Sequence, residues 1–385
     1  MKYNFDEITD RKNTSSLKWD VGENELPMWV ADMDFKTAPA VGEAIKRRAK
    51  HGVFGYSITP DSWYEAYIGW WKRRYNFEIK KDWLIFSAGV IPSVSSIVRK
   101  LTTPAENVLI LTPVYNIFYN SILNNGRNVL ECRLDYENGE YGINFEDLEK
   151  KLSYPQTTMM LFCNPHNPVG KIWDAKTVAR IGEMCEKHGV TVISDEIHCD
   201  ITESGKTYVP FASVSDICAR ISVTCAAPTK SFNIAGIQTS AVIIPNEFLR
   251  NRVCRALNTD EVAEPNCFAV CAAEAAYNEG EQWLDELRHY IDENKKTAAE
   301  FIGSNTDKIT VVKSEATYLM WLDCKNLAGF DAGFIREKSG LIISDGAQYG
   351  DGGKGFLRLN AACPRALLTQ GLERLKKAYD IYIGQ

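Results

Sequence analysis

Between residues 46 and 285, short β-rich apolar runs alternate with stretches of helical periodicity, and this alternation limits what the chain can fold into. The runs are WLIFS (83–87), NVLILT (107–112), MMLFCN (159–164), VTVISDE (190–196), ISVTCA (221–226) and SAVIIP (240–245). Helical stretches lie between several of them, such as Lys176 to His188 with Val178, Ile181 and Cys185 on one face. A strand apolar on both faces has no side for water, so helices must cover both sides of its sheet. The pattern predicts an α/β fold with a mainly parallel sheet. Residues 247–302 read as nearly all helical. The runs KITVVK (308–313), YLMWLD (318–323) and FLRLN (356–360) follow, with an amphipathic helix from Arg365 to about Ile383, and together these predict a smaller α+β unit. The expected division is an N-terminal arm joined to part of the small domain (1–45), a large domain (46–285) and a C-terminal small domain (286–385). Residues 1–45 look irregular, but LPMWVADMDF (26–35) is too apolar to lie free in water and is expected to pack on a surface.

Composition narrows the classes of partner. A net charge of −6 over 385 residues argues against nucleic acid or an anionic membrane. Eleven cysteines without a CxxC pair give neither a disulfide framework nor a zinc spacing, which predicts a reducing, cytoplasmic setting. The N-terminus is charged throughout and no later run approaches the ~20 apolar residues of a membrane span, so neither export nor membrane insertion is expected.

Six stretches carry chemistry. In ISVTCAAPTKSFNIAG (221–236), Lys230 ends a buried run among small residues, poorly solvated and able to attack a carbonyl; a surface lysine in a loop would read the same. PVYNIFY (113–119) puts Tyr115 where open α/β sheets hold ligands, either stacked on a planar ring or packed in the core. CNPHNPVGK (163–171) forces a rigid turn from which the amides of Asn164 and Asn167 are expected to project. ISDEIHCD (193–200) sets Asp195 and Glu196 at the end of an apolar strand, where a carboxylate needs a cationic partner such as a protonated heterocyclic nitrogen. His198 could touch a ring substituent or sit in the core. Asp195, His198, Cys199 and Asp200 are metal-ligand types, but their spacing is not that of a closed site and no metal is expected. FSAGVIPSV (86–94) offers Gly89 and the amides of Val90 and Ile91 at an expected helix start, where phosphate binds. GFLRLN (355–360) carries Arg358 in an apolar strand, where it needs either an internal carboxylate or an incoming one held bidentately. No Walker motif exists, and GDGGKG (350–355) reads as a flexible loop. A ring stack, a phosphate cradle, an acid for a ring nitrogen, an amide for a ring oxygen and an imine-forming lysine are what pyridoxal 5′-phosphate (PLP) requires.

Nearly the whole chain resembles the fold type I PLP enzymes, the aspartate-aminotransferase superfamily (class I/II), and within it the MalY/PatB-like cystathionine β-lyases (C–S lyases). KWD (18–20), LPMWVADMDF, HGVFGYS (51–57), PVYNIFY, NPHNPVGK, VISDEIHCD, TKSFNIAG and RLNAACPR (358–365) carry the resemblance; LPMWVADMDF, HGVFGY and DEIH point to that subgroup. The resemblance implies an aspartate-aminotransferase-like fold, with Lys230 as Schiff-base lysine and Asp195 on the pyridinium nitrogen. Asn167 and His198 would face the phenolic oxygen, and Tyr115 would stack on the ring. The amides of Val90 and Ile91 after Gly89, with Thr229, would hold the phosphate, and Arg358 would take the substrate α-carboxylate. It also implies a homodimer with shared active sites, in which Tyr56 serves the neighbouring subunit's site. Two departures leave phosphate with fewer charged contacts: Ala227 stands where many relatives have serine, and Gln238 where aminotransferases place arginine. The implied reaction is cleavage of L-cystathionine, or a related amino-acid thioether, to a thiol, pyruvate and ammonia. An aminotransferase would use the same parts, and partnership with a transcription factor is a second role reported in the family.

Overall fold

The computed structural model describes residues 2–384. Seven strands form the main sheet, in the order Leu84–Ser87, Ser240–Ile243, Ser222–Ala226, Thr191–Asp195, Thr157–Cys163, Asn107–Thr112 and Asn128–Arg133. Six share one direction, and Ser240–Ile243 opposes both its neighbours. The side-chain period of two splits each central strand between two apolar layers. Leu109, Met160, Phe162 and Val192 face one layer, with Leu148, Val178 and Ile181 from the helices Phe145–Leu152 and Ala175–Lys187. Val108, Ile110, Leu161 and Ile193 face the other, with Val94, Ile97 and Val253 from Val90–Leu101 and Glu247–Thr259. All these side chains are essentially buried, each worth about 1.5–3 kcal/mol for a fully buried aliphatic residue. The arrangement fixes the strand ends, which is where the site forms.

The edge strand Asn128–Arg133 has no counterpart among the expected runs, because Asn128, Glu131 and Arg133 break up Val129, Leu130 and Cys132 so that no apolar block forms. The small unit is an antiparallel sheet of Thr310–Val311, Leu319–Asp323, Phe356–Asn360 and Ser344–Asp345, packed on Glu281–Asn305 and Arg365–Ile383. The divisions at 45/46 and 285/286 fall inside helices, Pro39–His51 and Glu281–Asn305. The 25-residue helix begins in an aromatic cluster with Trp70 and Tyr277 and ends, at Ala298 and Ile302, in the core of the small unit. No glycine or proline interrupts it before Gly303, so one continuous helix spans both packing environments.

The arm joins both units. Leu26–Pro27 pairs with Leu341–Ile342, and Met28 packs in the small-unit core, while Met33 and Phe35 enter the aromatic cluster. Its turn is held by ions: Arg11 bonds Asp32 and Asp34 at 2.7 Å each, and buried Lys18 bonds Asp34 at 2.6 Å. GDGGKG is not a free loop. Gly352 and Gly353 are buried, and a Cβ on Gly353 would lie 2.0 Å from the Gly346 carbonyl, so the run is close-packed backbone. It sits beside the Val114 N–H bond to the Tyr349 carbonyl, which helps brace the Tyr115 loop.

Candidate active site

A cavity of about 240 Å³ opens at the C-terminal ends of the parallel strands, where open α/β sheets bind ligands. Gly89, Val90, Ile91, Tyr115, Asn167, Asp195, His198, Thr229 and Lys230 all line it, and Arg358 reaches it through Asn167. Tyr56 does not: its side chain is fully exposed in the segment before the helix Asp61–Tyr75, away from this chain's own cavity.

Lys230 projects from the turn after Ser222–Ala226, and its Nζ donates to the Ala31 carbonyl at 2.6 Å. Protein surrounds the amine although it opens onto the cavity. Lost hydration brings its pKa down to about 8; Asp32 opposes that shift, Arg358 adds to it, and Asp195 opposes it. The hydroxyl of buried Tyr318 donates to the same carbonyl at 2.9 Å. From the front, Asn233 accepts from Met33 N–H at 2.9 Å and donates to the Met33 and Phe35 carbonyls at 2.9 and 2.7 Å.

Asp195 ends its strand at 4% exposure and accepts a hydrogen bond from Ile197 N–H at 3.1 Å; burial raises its pKa to about 6. Among the described residues no cation pairs with it, so the carboxylate is open to a donor from within the cavity. Glu196 turns away, accepting from Ser194 Oγ, Phe211 N–H and the Tyr208 hydroxyl, which makes it a structural anchor. His198 is buried beside Tyr318, with ring centroids 6.0 Å apart, and its Nδ1 has no partner. Burial lowers its pKa to about 3, so it faces the cavity as a neutral imidazole. Asp195, His198, Cys199 and Asp200 do not converge, and among the described residues no group of three metal-ligand side chains does.

Arg358, 5% exposed, donates from Nη1 to Asn167 Oδ1 at 3.2 Å and from Nη2 to the Trp29 carbonyl at 2.9 Å. Its guanidinium lies 4.9 Å from the Tyr349 ring centroid. Its Nε has no partner, and among the described residues no carboxylate lies within ion-pair distance, so the group retains capacity for an incoming anion. Asn164, expected to project, instead braces the turn: its Oδ1 accepts from Trp173 N–H at 3.0 Å and its Nδ2 faces the Trp173 carbonyl.

At the opposite end, Gly89 caps the helix Val90–Leu101, whose first-turn amides have no intrahelical acceptor. Thr229 and Gln238 also line the cavity. These features fit PLP: an anion cradle, an unpaired carboxylate, a neutral histidine with a free nitrogen, an amide, an aromatic wall and an amine of lowered pKa. Sequence reasoning did not single out Trp29, Ala31, Tyr318 or Asn233. Trp29 and Ala31 act through main-chain carbonyls, which leave no residue-type signature; the hydrophobicity of LPMWVADMDF was the available signal.

A mainly parallel α/β sheet with an amine, an acid and a helix start around a cavity at its strand ends is the setting of a cofactor-dependent amino-acid enzyme. Residues 22–375 match the model of the family aminotransferase class I and II, and the chain belongs to that family. It is 44% identical over 384 residues to cystathionine beta-lyase PatB of Bacillus subtilis (strain 168), covering 97% of this chain and 99% of that protein. The fold is similar to that of cystalysin from Treponema denticola, whose structure contains pyridoxal 5′-phosphate, at a TM-score of 0.95 and 35% identity over 99% and 100% of the two chains. It is also similar to the PLP-bound C–S lyase of Staphylococcus hominis, at a TM-score of 0.92 and 34% identity over 98% of each chain.

Proposed function

We propose that this protein is a PLP-dependent carbon–sulfur β-lyase that cleaves L-cystathionine, or a related cysteine S-conjugate, to homocysteine or another thiol, pyruvate and ammonia. The observation that carries the reading is Lys230, Asp195 and Arg358 around one cavity, with no carboxylate among the described residues within ion-pair distance of Arg358. The relatives named as lyases support the bond broken.

When bound, PLP supplies an aldehyde that condenses with amines and a protonated ring that accepts the electron pair left at Cα. The residues of the chain do the rest. Arg358 binds the α-carboxylate and so fixes which substituent of Cα points along the reacting direction. Lys230 Nζ, whose lowered pKa makes a free amine accessible near neutral pH, takes the Cα proton. With PLP bound, Asp195 would hold a proton on the ring nitrogen, Asn167 Nδ2 and His198 would serve the phenolic oxygen, and Tyr115 would cover a ring face. The amides of Val90 and Ile91, with Thr229, would hold the phosphate. Loss of the β-thiolate and hydrolysis then balance as thioether plus water giving thiol, pyruvate and ammonia.

The same reading makes the protein a cytoplasmic homodimer. All eleven cysteines are free thiols, and among the described residues no helix is long and apolar enough to cross a membrane. Exposed Val53, Phe54, Tyr56 and Ile58 form an apolar segment suited to a second copy, whose site Tyr56 would complete. The arm with part of the small domain (1–45), the large domain (46–285) and the small domain (286–385) then serve as one working unit, with the crossing helices as joints. The test is incubation of PLP-loaded protein with L-cystathionine and no 2-oxo acid. Pyruvate and thiol in equal amounts support the lyase; turnover only after a 2-oxo acid is added identifies an aminotransferase.

A further inference from the structure

Asp200 lies in the aromatic cluster at 3% exposure, and its three side-chain donors are all neutral. Trp70 Nε1 and Ser231 Oγ each donate at 2.9 Å, and the Tyr75 hydroxyl completes the set. The nearby cation Arg74 is bound to Glu281 and Asp285, and among the described residues no salt bridge reaches Asp200. A carboxylate buried this way is a poor device for stability, because neutral donors return only part of the hydration it loses and an apolar side chain would fill the space without that loss.

Its position suggests another role. His198 lies two residues before it and Asp195 five before it, while Ser231 directly follows Lys230. The Asp200–Ser231 bond therefore joins the turn that carries the cavity acid to the turn that carries the amine. Ser231 is completely buried on the Asp200 side, and the Lys230 side chain leaves the same turn in the direction of Ala31. Asn233 ties this turn to the arm in front, and Asp200 ties it to the Asp195 segment behind. Trp70 and Tyr75, from one helix, both donate to Oδ1 of Asp200, which leaves Oδ2 to Ser231.

We propose that Asp200 is a positioning residue: through the Ser231 hydroxyl it sets where Lys230 Nζ stands relative to Asp195 and the Ala31 carbonyl. The inference rests on the reading of Lys230 as the cofactor-bearing amine.

Ser231→Ala removes only this tether and leaves Asp200 two donors, so the fold is kept. Trp70→Phe removes a different donor and leaves the tether. Competitive acetylation of cofactor-free protein across the lysine titration range, read by peptide mass spectrometry, gives the titration midpoint of Lys230 itself. Asp32, Asp195 and Arg358, the charges around the amine, are unchanged in both variants. In wild type the midpoint should lie near 8. In Ser231→Ala it should rise by about half a pH unit or more towards that of a free lysine, as the amine leaves its dehydrated seat. Trp70→Phe should melt earlier and keep the wild-type midpoint. An unchanged midpoint in Ser231→Ala, or an equal shift in Trp70→Phe, overturns the proposal. Absence of a visible absorption band when PLP is added to wild type would instead remove the reading of Lys230, since the acetylation result does not depend on the cofactor.

Discussion

Nη1 of Arg358 donates to Oδ1 of Asn167 at 3.2 Å, so the small-unit strand Phe356–Asn360 and the turn after Thr157–Cys163 meet inside the cavity. Because an arginine only donates, this bond fixes the Asn167 amide with oxygen towards Arg358 and leaves Nδ2 as the donor available to a ligand. One contact therefore orients both the group for a ring oxygen and the group for a substrate carboxylate.

Replacing Arg358 with lysine keeps the charge but loses the planar fork and the hold on Asn167. With L-cystathionine, kcat/KM should fall by about 10- to 100-fold, corresponding to the loss of one charge-assisted hydrogen bond. Most of the change should appear in KM. Steady-state kinetics that match wild type would place the carboxylate elsewhere.

Lys230→Ala should bind PLP without the visible band given by wild type and should lose turnover. Absorption spectra and a pyruvate assay on the same preparations check both. Full activity in this variant would remove Lys230 from the chemistry.

How much of this could be read from the chain follows from what each residue does. Lys230, Asp195, Asn167 and Arg358 are polar side chains inside otherwise apolar runs, and burying such groups is costly enough to stand out in a sequence. The fully buried strands stood out for the complementary reason. Ala31 and Trp29 were not legible because they act through carbonyls, and their approach to Lys230 and Arg358 depends on an arm folded back over roughly two hundred to three hundred residues of chain. The two Asn-Pro pairs look alike in sequence, so both amides are expected to project; only tertiary packing turns Asn164 onto Trp173. The glycines of GDGGKG suggest flexibility in sequence, but in the fold they permit backbone to approach backbone.

Asp195→Ala removes the acceptor for a ring N–H, a charge-assisted bond of about 1.5–3 kcal/mol. PLP should bind more weakly, and exchange of the substrate α-proton with solvent deuterium should fall by more than overall binding does. Exchange at the wild-type rate, followed by NMR in deuterium oxide, would take Asp195 out of the electron-accepting step.

The lowered Lys230 pKa has a sign that can be tested in cofactor-free protein. Folded Lys230 loses its proton near pH 8, while the unfolded chain keeps it to about 10.5. Between these values the unfolded state binds more protons, so this residue's contribution to stability rises with pH. Measured by urea denaturation, the stability of wild type relative to Lys230→Ala should increase from about pH 8 to about pH 10. A difference that stays flat, or falls, would contradict a dehydrated amine in the cavity.

Tyr56 stands fully exposed beyond its own cavity, in a segment with Val53, Phe54 and Ile58 also open to water. If a second copy covers this segment and receives Tyr56, each site draws Lys230 from one chain and Tyr56 from the other. Lys230→Ala and Tyr56→Phe should then each be impaired alone, and mixing them under conditions that exchange subunits should restore activity. A mixed dimer contains one site with both residues intact and one with neither. Random pairing of equal amounts makes half the dimers mixed, with one working site in two, so recovery should approach about a quarter of wild type. Sedimentation at assay concentration should give a dimer, and mass spectrometry of tagged chains should report the exchange. A monomer, or proven exchange without recovery, would mean that Tyr56 serves no neighbouring site and that the exposed segment must be explained in another way.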